Sequence, residues 1–369
     1  MIKSRAPSHY LAIHKASGVP LSPTNGKIPA LDRAVSPLVS FFIAAFNDPT
    51  SIAFATAVDF VWSYSAAVLL PLIEPQRISP NNEWSLAKTF LASPLVWGLL
   101  YQRLSGGWIM PLWLLAFMHS PTRTSHIGIS RIGAESVFVG WWLGHTLPAI
   151  AMVIPGQHQL PSALYCYIAF PALMPIVQQA YLFVRRFFVS RPQETNEDKH
   201  AGYMVLQLTY ISAFTASCLS HIHLVIIPAI THATANHPTS SSVANKIIGL
   251  VRYLYRFYIP ATGVYIPSVE KTTAASGVIH FVQMDILVVF SAVWIAMLWD
   301  LQQRREEAQN AAKQTTPPPP SSTIRWNVVA LCALIGLSAA LGPGAATAAL
   351  FIYRERRLEQ ARNVAWKNR

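Results

Sequence analysis

The chain has 369 residues, of which 52% are hydrophobic and only 12% are charged. Soluble domains carry about 25% charged residues, so water is not the main solvent of this chain. A helix needs roughly 20 apolar residues to cross a bilayer, and the length suits several such crossings with short connections. We therefore predict an all-α protein, a polytopic membrane helical bundle with seven to eight transmembrane helices.

The formal net charge is +12, from 28 Lys and Arg against 16 Asp and Glu. The basic residues are dispersed among the connections and do not form one soluble basic face, which argues against a nucleic-acid-binding surface. We expect membrane lipids with anionic headgroups as partners, and no nucleic acid.

Composition divides the chain into four parts. Residues 1–50 are predicted to be an N-terminal cytoplasmic or interfacial segment. Residues 51–299 are predicted to form the transmembrane bundle, with an interfacial loop at 234–274. A charged and proline-rich linker follows over 300–325, and 326–369 supply the last transmembrane helix and a basic tail.

Eight apolar segments are candidate transmembrane spans. Their approximate bounds are 51–73, 87–103, 107–119, 134–154, 163–184, 202–230, 275–299 and 326–352. The second and third are short, and the intervening Ser105-Gly106-Gly107 is also typical of a kink within a re-entrant pair. This break decides between seven and eight spans.

Two shorter segments suit the membrane interface. The apolar run 37–46 is too short to cross a bilayer. In the segment 245–258, Arg252 and Arg256 accompany apolar and aromatic residues, which predicts a helix lying on lipid headgroups, with a simple loop helix as the alternative.

Carboxylates inside otherwise apolar spans are the candidate catalytic residues, because ionisable groups at membrane depth are costly and face the bundle interior. Asp59, Glu135 and Asp285 meet this description. Loss of water disfavours the charged form, so such a group can stay protonated and act as an acid catalyst. Asp285 is the strongest candidate because no cation lies near it in the sequence. Glu74 is a further candidate, although an ion pair with Arg77 is the simpler interpretation.

Two of these acids lie beside aromatic residues on the same helical face. Trp62 follows Asp59 by three residues, and an interhelical hydrogen bond or a buried ion pair is the alternative role of Asp59. Glu135, Trp142 and His145 share one helical stripe, which also includes Phe138. Alternatively, Glu135 begins its helix and pairs with Arg131.

A third stripe contains Tyr210, Phe214 and His221, which predicts either packing or substrate binding. His221 and His223 point to different faces of a helix, so we expect no metal site. The three cysteines also lack metal-ligand spacing and are interpreted as packing residues.

Aromatic residues make up 11% of the chain. Aromatic faces stabilise a cation by about 0.5 to 2 kcal/mol each where water is excluded. An apolar pocket with aromatic walls and a protonated carboxylic acid is suited to forming and steering a carbocation. The chain contains no P-loop, dinucleotide fingerprint, nucleophile elbow or His-Glu-x-x-His motif, and no Asp-rich diphosphate motif, which favours initiation by protonation.

Several short motifs carry a resemblance to a known family. They are Asp59 with Pro71-Leu72-Ile73-Glu74-Pro75-Gln76-Arg77, Gly144-His145-Thr146-Leu147-Pro148, Phe170-Pro171 with Gln178, Tyr210-Ile211-Ser212 leading to His221, and Phe281-Val282-Gln283-Met284-Asp285. Through them the chain resembles the fungal integral-membrane terpene cyclases of the ascofuranone and ascochlorin pathway type. The resemblance implies cyclisation of a farnesyl-type chain, after protonation of a terminal epoxide or alkene, without a cofactor.

The resulting hypothesis is a membrane-bound terpene cyclase of secondary metabolism, in the endoplasmic reticulum membrane. Asp285 or Asp59 donates the initiating proton, with Glu135 or Glu74 as alternates. Trp62, Trp142, Tyr210 and Phe214 shield the cation, and His145 or His221 accepts the final proton. The partner is a lipophilic prenylated small molecule, and pathway enzymes are further partners consistent with this hypothesis. The alternatives are a carrier for a lipophilic metabolite and a structural membrane protein.

Overall fold

The computed structural model describes residues 6–20, 24, 26–46, 48–77, 93–119, 128–154, 161–188, 195–235, 243–261, 273–312 and 321–367. Within these ranges every regular element is a helix, which confirms the predicted all-α polytopic bundle.

The α-helices are numbered in chain order. Their bounds are α1 Ala6–Ala16, α2 Pro29–Phe46, α3 Ile52–Ala67, α4 Leu69–Ile73, α5 Pro94–Leu104, α6 Gly106–Met118, α7 Arg131–Trp141, α8 Leu147–Val153, α9 Pro161–Ile168, α10 Phe170–Phe188, α11 Asn196–His221, α12 Ile227–Ala235, α13 Val243–Tyr258, α14 Ala274–Ala312, α15 Ser321–Leu341 and α16 Pro343–Lys367. A 3₁₀ turn, Glu74–Arg77, follows α4, and π-helical turns join α7 to α8 (Trp142–Thr146) and α11 to α12 (Ile222–Ile226).

Five described segments are long and apolar enough to cross a membrane, and a sixth is obtained if the bent pair α9 and α10 forms one span. The five are Pro29–Phe46, Ile52–Arg77, Arg131–Val153, Asn196–Ala235 and Ala274–Glu306. This number is lower than the seven to eight expected from the sequence.

Three local features explain the difference in number. Helix α6 has 13 residues, which span about 20 Å and fall short of a hydrocarbon core about 30 Å thick. The predicted span 326–352 is divided at Gly342, whose positive φ of 93° ends α15 before Pro343 begins α16. Part of the predicted span 87–103 lies outside the described residues. Conversely, the run 37–46 belongs to α2, which is long enough to count as a span.

Side-chain caps fix the starts of several helices. Ser51 Oγ accepts a hydrogen bond from the Phe54 amide at 3.1 Å, where α3 begins. Ser130 Oγ likewise caps α7, and Thr195 Oγ1 accepts from the Asp198 amide at the start of α11. Each cap satisfies an amide that the first helical turn leaves without a partner.

Helix α3 forms the centre of the bundle. It packs against α2, α11, α14 and α16, and it continues into α4 and the 3₁₀ turn. In the span Ile52–Arg77, 78% of the most apolar window is buried inside the structure, the largest share among the candidate spans. Eleven of the sixteen residues of α3 are buried, as expected of a helix enclosed by others.

Six charged residues, five of them buried, join three chain segments at one end of α3 and α4. The 3₁₀ turn contributes Glu74 and Arg77, α14 contributes Asp300 and Arg304, and α16 contributes Arg354 and Glu355. Arg354 donates to Glu74 at 2.7 Å and to Asp300 at 2.9 Å, and Arg77 pairs with Glu355. Three guanidinium groups therefore balance three carboxylates. We refer to these six residues as the ion cluster.

Arg354 is the member whose loss is expected to cost most, because it contacts all three carboxylates of the ion cluster and its side chain is only 1% exposed. Arg354→Met should lower the free energy of unfolding by about 3 to 5 kcal/mol, measured by denaturation in detergent. Arg356→Met, on an exposed position of the same helix, should change it by about 0.5 kcal/mol or less. Equal effects of the two substitutions would contradict the stabilising role of the cluster.

Candidate active site

A cavity of about 270 Å³ lies between α2, α3, the α5–α6 junction, α10 and α14. Most of the side chains around it are aromatic. The lining residues are Tyr10, Pro37, Leu38, Ser40, Phe41, Phe42, Phe60, Tyr64, Tyr101, Gln102, Arg103, Leu104, Ser105, Gly106, Tyr167, Phe170, Phe281 and Asp285. Among these described residues Asp285 is the one carboxylate, and the other charged residue, Arg103, is exposed.

Asp285 is buried on α14 and is held by the junction between α5 and α6. Its Oδ1 accepts a hydrogen bond from Ser105 Oγ at 2.5 Å and another from the Gly107 amide at 3.2 Å. Gly107 lies in the first turn of α6, so the carboxyl group faces the amino end of a helix, where negative charge is favoured. The hydrogen-bond donors to Asp285 are thus neutral. No arginine of the ion cluster lies within ion-pair distance of its carboxyl group.

The α5–α6 junction has an unusual backbone. Ser105 has φ of 87°, and it is the non-glycine residue with positive φ among the described residues. Such a conformation costs about 1 to 3 kcal/mol and persists only where the surroundings hold it. Here its side chain contacts Asp285 and caps α6. The predicted Ser105-Gly106-Gly107 break is therefore real, and it forms part of the cavity wall.

The two glycines of the junction allow this close approach. A Cβ at Gly106 would lie 2.7 Å from Tyr64 Oη, and a Cβ at Gly107 would lie 2.8 Å from Asp285 Oδ1. Real Cβ atoms do not come so close, so α6 can approach α3 and α14 only with glycine at both positions.

The aromatic wall is continuous. Eight rings follow one another with centroid distances between 5.2 and 5.9 Å, in the order Phe281, Phe41, Phe42, Tyr167, Phe170, Tyr101, Tyr64 and Phe60. Edge-to-face and tilted pairs of this kind add stability beyond the burial of their area. The wall also places several ring faces and edges around the space in front of Asp285.

Tyr64 adds a polar group to this wall. Its hydroxyl is buried and has no hydrogen-bond partner among the described residues. A buried donor without a partner is unfavourable by about 1 to 3 kcal/mol, and a bound ligand can satisfy it. Tyr64 Oη and Asp285 are therefore two polar groups of the cavity that a substrate could contact.

Asp59 and His221 meet in a separate buried cluster. His221 Nδ1 lies 3.1 Å from Asp59 Oδ1 and 2.9 Å from Tyr258 Oη, and Asp59 and His221 are both fully buried. Gly342 packs on this histidine, because a Cβ there would lie 3.0 Å from His221 Cβ. The structure thus pairs two predicted site residues, but neither lines the cavity.

Glu135 and Glu74 are both engaged by arginines. Glu135 accepts from Arg131 at 2.7 Å and from Arg185 at 3.2 Å, besides Tyr181 at 2.7 Å. Glu74 belongs to the ion cluster. The alternative roles expected for these two carboxylates, local and buried ion pairs, correspond to what the structure shows.

The predicted aromatic residues and His145 lie outside the cavity lining. Tyr210 is buried beside Phe351, with a ring centroid distance of 5.5 Å. His145 is fully buried behind the aromatic wall, 4.9 Å from Phe170 and 5.9 Å from Tyr167 between ring centroids. The remaining three are half-buried and pack against the hydrophobic core, and they are Trp62, Trp142 and Phe214. The π turn Trp142–Thr146 changes the helical register, so the stripe predicted from Glu135 to His145 is not continuous on one face.

Most cavity residues were not predicted as site residues from the sequence. One signal could have found some of them, because three polar residues of the lining have an aromatic residue four positions earlier in the sequence. Phe281 precedes Asp285, Phe60 precedes Tyr64, and Tyr101 precedes Ser105. Residues four apart share a helical face, so these rings line the same space as the polar groups.

A family model described as the CtvD domain matches residues 12–358. The chain belongs to the CtvD domain family. This family is terpene cyclase-like and acts in secondary metabolism, which confirms the predicted resemblance at that level. Neither the curated proteins nor the solved structures include a match to the chain.

The CtvD domain match contains every cavity residue except Tyr10, and both the ion cluster and the Asp59–His221 pair. The cavity is therefore a feature of the domain itself. Among the described residues, no group of three or more His, Cys, Asp or Glu side chains is arranged to hold a metal ion.

Gly107→Ala tests the packing of the α5–α6 junction. The added methyl group would overlap Asp285 Oδ1, so we expect a loss of about 1 to 3 kcal/mol in the free energy of unfolding, seen as a lower melting temperature in detergent. Gly336→Ala on α15 meets nothing within 4 Å and should raise stability by up to about 1 kcal/mol. A melting temperature of Gly107→Ala at or above that of the parent chain would contradict this packing.

Proposed function

We propose that the chain is a membrane-embedded, protonation-initiated terpene cyclase in which Asp285 is the acid. The substrate is a lipophilic, farnesyl-type chain with a terminal epoxide or alkene. The observation that carries this proposal is the position of Asp285, the single carboxylate among the described residues that line the aromatic cavity. Membership of a terpene cyclase-like family supports the reaction class.

The proposed reaction begins with transfer of the Asp285 carboxyl proton to the substrate. If the acceptor is an epoxide oxygen, a carbon–oxygen bond breaks, the oxygen becomes a hydroxyl group and a carbocation develops. The π electrons of a neighbouring alkene then form the ring bond. Loss of a proton from carbon to the Asp285 carboxylate restores the acid, so the product is an isomer of the substrate.

The surroundings of Asp285 support both protonation states during one cycle. Burial in an apolar bundle disfavours the charged form before the reaction. After transfer, the hydrogen bonds from Ser105 Oγ and the Gly107 amide stabilise the carboxylate that remains. Both contacts reach Oδ1, so we assign the transferable proton to Oδ2.

The aromatic wall is proposed to stabilise the cation and fold the chain. A ring face contributes about 0.5 to 2 kcal/mol to a cation where water is excluded. Phe281 lies one turn before the acid on α14, and Phe41 packs on Phe281 at a centroid distance of 5.3 Å. Tyr64 Oη is proposed to donate to the substrate oxygen.

The other predicted acids and bases are given supporting roles. Glu74 and Glu135 are engaged by arginines, and neither lines the cavity. Asp59 and His221 pair with each other within the core, and we propose that this contact stabilises the packing of α3 against α11. His145 lies behind the aromatic wall and supports Phe170. The apolar spans support location in a membrane, and we propose the endoplasmic reticulum membrane.

Asp285→Asn is the direct test of the acid. The amide cannot donate a proton of comparable acidity, so we expect conversion of an epoxide-bearing farnesyl-type substrate to fall by about 10²- to 10⁴-fold. The measurement is the yield of product with unchanged mass, separated by chromatography from the substrate in a microsomal assay. The melting temperature should stay within a few degrees of that of the parent chain.

Asp48→Asn is the matched control, because Asp48 is exposed and contacts only its own turn through Thr50. It should retain activity. Full activity of Asp285→Asn would overturn the assignment of the acid. Binding of the substrate by the parent chain without any isomeric product would instead favour a carrier for lipophilic metabolites.

Phe281→Leu tests the aromatic wall. The substitution keeps an apolar side chain but removes the ring face beside the acid, so we expect a decrease of roughly 2- to 30-fold in cyclisation rate. An increase in uncyclised alcohol should accompany it, measured by mass spectrometry of the products. Phe183→Leu, an exposed position on α10, should leave the rate and the product ratio unchanged. The same result for both variants would exclude a role of the Phe281 ring.

A further inference from the structure

Helix α13 presents three different faces. Its buried face contains Phe257 and the partly buried Leu250 and Leu254. A second face is apolar but exposed, and its residues recur every four positions as Val243, Ile247, Val251 and Tyr255, each at least 55% exposed. The third face is cationic. A helix of this kind is typical of the membrane interface, where apolar residues enter the acyl boundary and basic residues contact headgroups.

The cationic face lines a second concavity, of about 400 Å³, between α12, α13 and the start of α3. Arg252 and Arg256 lie four residues apart on α13, and Gly249 opens space one turn earlier on the same face. Tyr253 and His232 close the other side, with a ring centroid distance of 5.6 Å. The polar side chains that line the concavity are therefore all able to donate hydrogen bonds.

The described residues do not balance the positive charge in this concavity. Helix α13 contains no acidic residue. The side chains of Arg252 and Arg256 are exposed, and no carboxylate among the described residues lies within ion-pair distance of them. By contrast, the buried Arg354 and the half-buried Arg185 each contact a carboxylate. An anion from outside the chain would supply the missing charge.

We propose that this concavity binds the phosphate-containing headgroup of an anionic glycerophospholipid. The exposed apolar face of α13 lies beside the two arginines, so one lipid can place its phosphate on Arg252 and Arg256 and its acyl chains along Val251 and Tyr255. A soluble phosphate would use the arginines alone and leave that apolar face uncovered. The site is separate from the Asp285 cavity, and it stands whether or not the chain is a cyclase.

The buried face of α13 connects this site to the bundle. Gln283 Nε2 donates to the backbone carbonyls of Arg256 at 3.0 Å and Phe257 at 2.8 Å, and Tyr258 contacts His221. Gln283 is two residues from Asp285 on α14. A lipid that holds α13 in place would therefore also stabilise the hydrogen bonds between α13 and Gln283 on α14.

Titration of the full chain in neutral detergent tests the site. The ligands are short-chain phosphatidylserine, short-chain phosphatidylcholine and inorganic phosphate, and the readout is the rise in melting temperature with concentration, from which a dissociation constant is obtained. We expect phosphatidylserine to bind more tightly than either of the others. Arg252→Gln combined with Arg256→Gln should weaken its binding roughly 30-fold, because each basic residue near an anionic headgroup contributes about 1 kcal/mol.

The matched control removes two other exposed arginines, Arg186→Gln with Arg356→Gln, and should change the dissociation constant by less than about threefold. Arg252→Lys combined with Arg256→Lys keeps the charge and should retain binding within about tenfold. Equal affinity of the Gln pair and the parent chain would overturn the proposal. So would inorganic phosphate or phosphatidylcholine binding as tightly as phosphatidylserine, or a Lys pair as weak as the Gln pair.

Discussion

A charge removed from water inside an apolar bundle is unfavourable unless protein groups replace the lost hydration. The ion cluster meets this requirement with three guanidinium groups and three carboxylates, and it thereby fixes the 3₁₀ turn after α4, α14 and α16 relative to one another. Its members Glu74 and Glu355 are separated by most of the chain. Asp300 on α14 lies 15 residues, or about 22 Å, beyond Asp285. The cluster therefore also sets the position of the helix that carries the proposed acid.

Asp285 differs from the other carboxylates considered for catalysis in the nature of its partners. Glu74 and Glu135 contact arginines, and Asp59 contacts a histidine, whereas Asp285 receives hydrogen bonds from a neutral hydroxyl and a backbone amide. Neutral donors leave the group able to exist with or without its proton. Because it also opens onto a cavity walled by aromatic rings, it is the carboxylate whose surroundings best suit acid catalysis on an apolar substrate.

The sequence was sufficient for the class of fold, and one of the four carboxylates that it offered as acids, Asp285, lines the cavity of the structure. Low charge predicted helices in a membrane, and an isolated acid in an apolar span identified Asp285. The full set of rings in the aromatic wall could not be predicted, because several come from helices whose neighbours are set by tertiary packing, as Phe41 and Tyr167 illustrate. The stripe from Glu135 to His145 was wrong as a continuous face for a local reason, since a π turn adds a residue to the helical repeat.

A break in a helix leaves backbone amides free to bind other groups, whereas in a continuous helix these amides form intrahelical hydrogen bonds. In an unbroken helix the Gly107 amide would bond to the carbonyl four residues earlier, but the turn at Ser105 frees this amide. Asp285 then caps α6 from another helix. A carboxylate at this position gains from the helix dipole as it forms, which reduces the free energy of proton transfer to an apolar substrate. The strained backbone at Ser105 thus starts α6 at a place where its first amides can stabilise the Asp285 carboxylate of the proposed reaction.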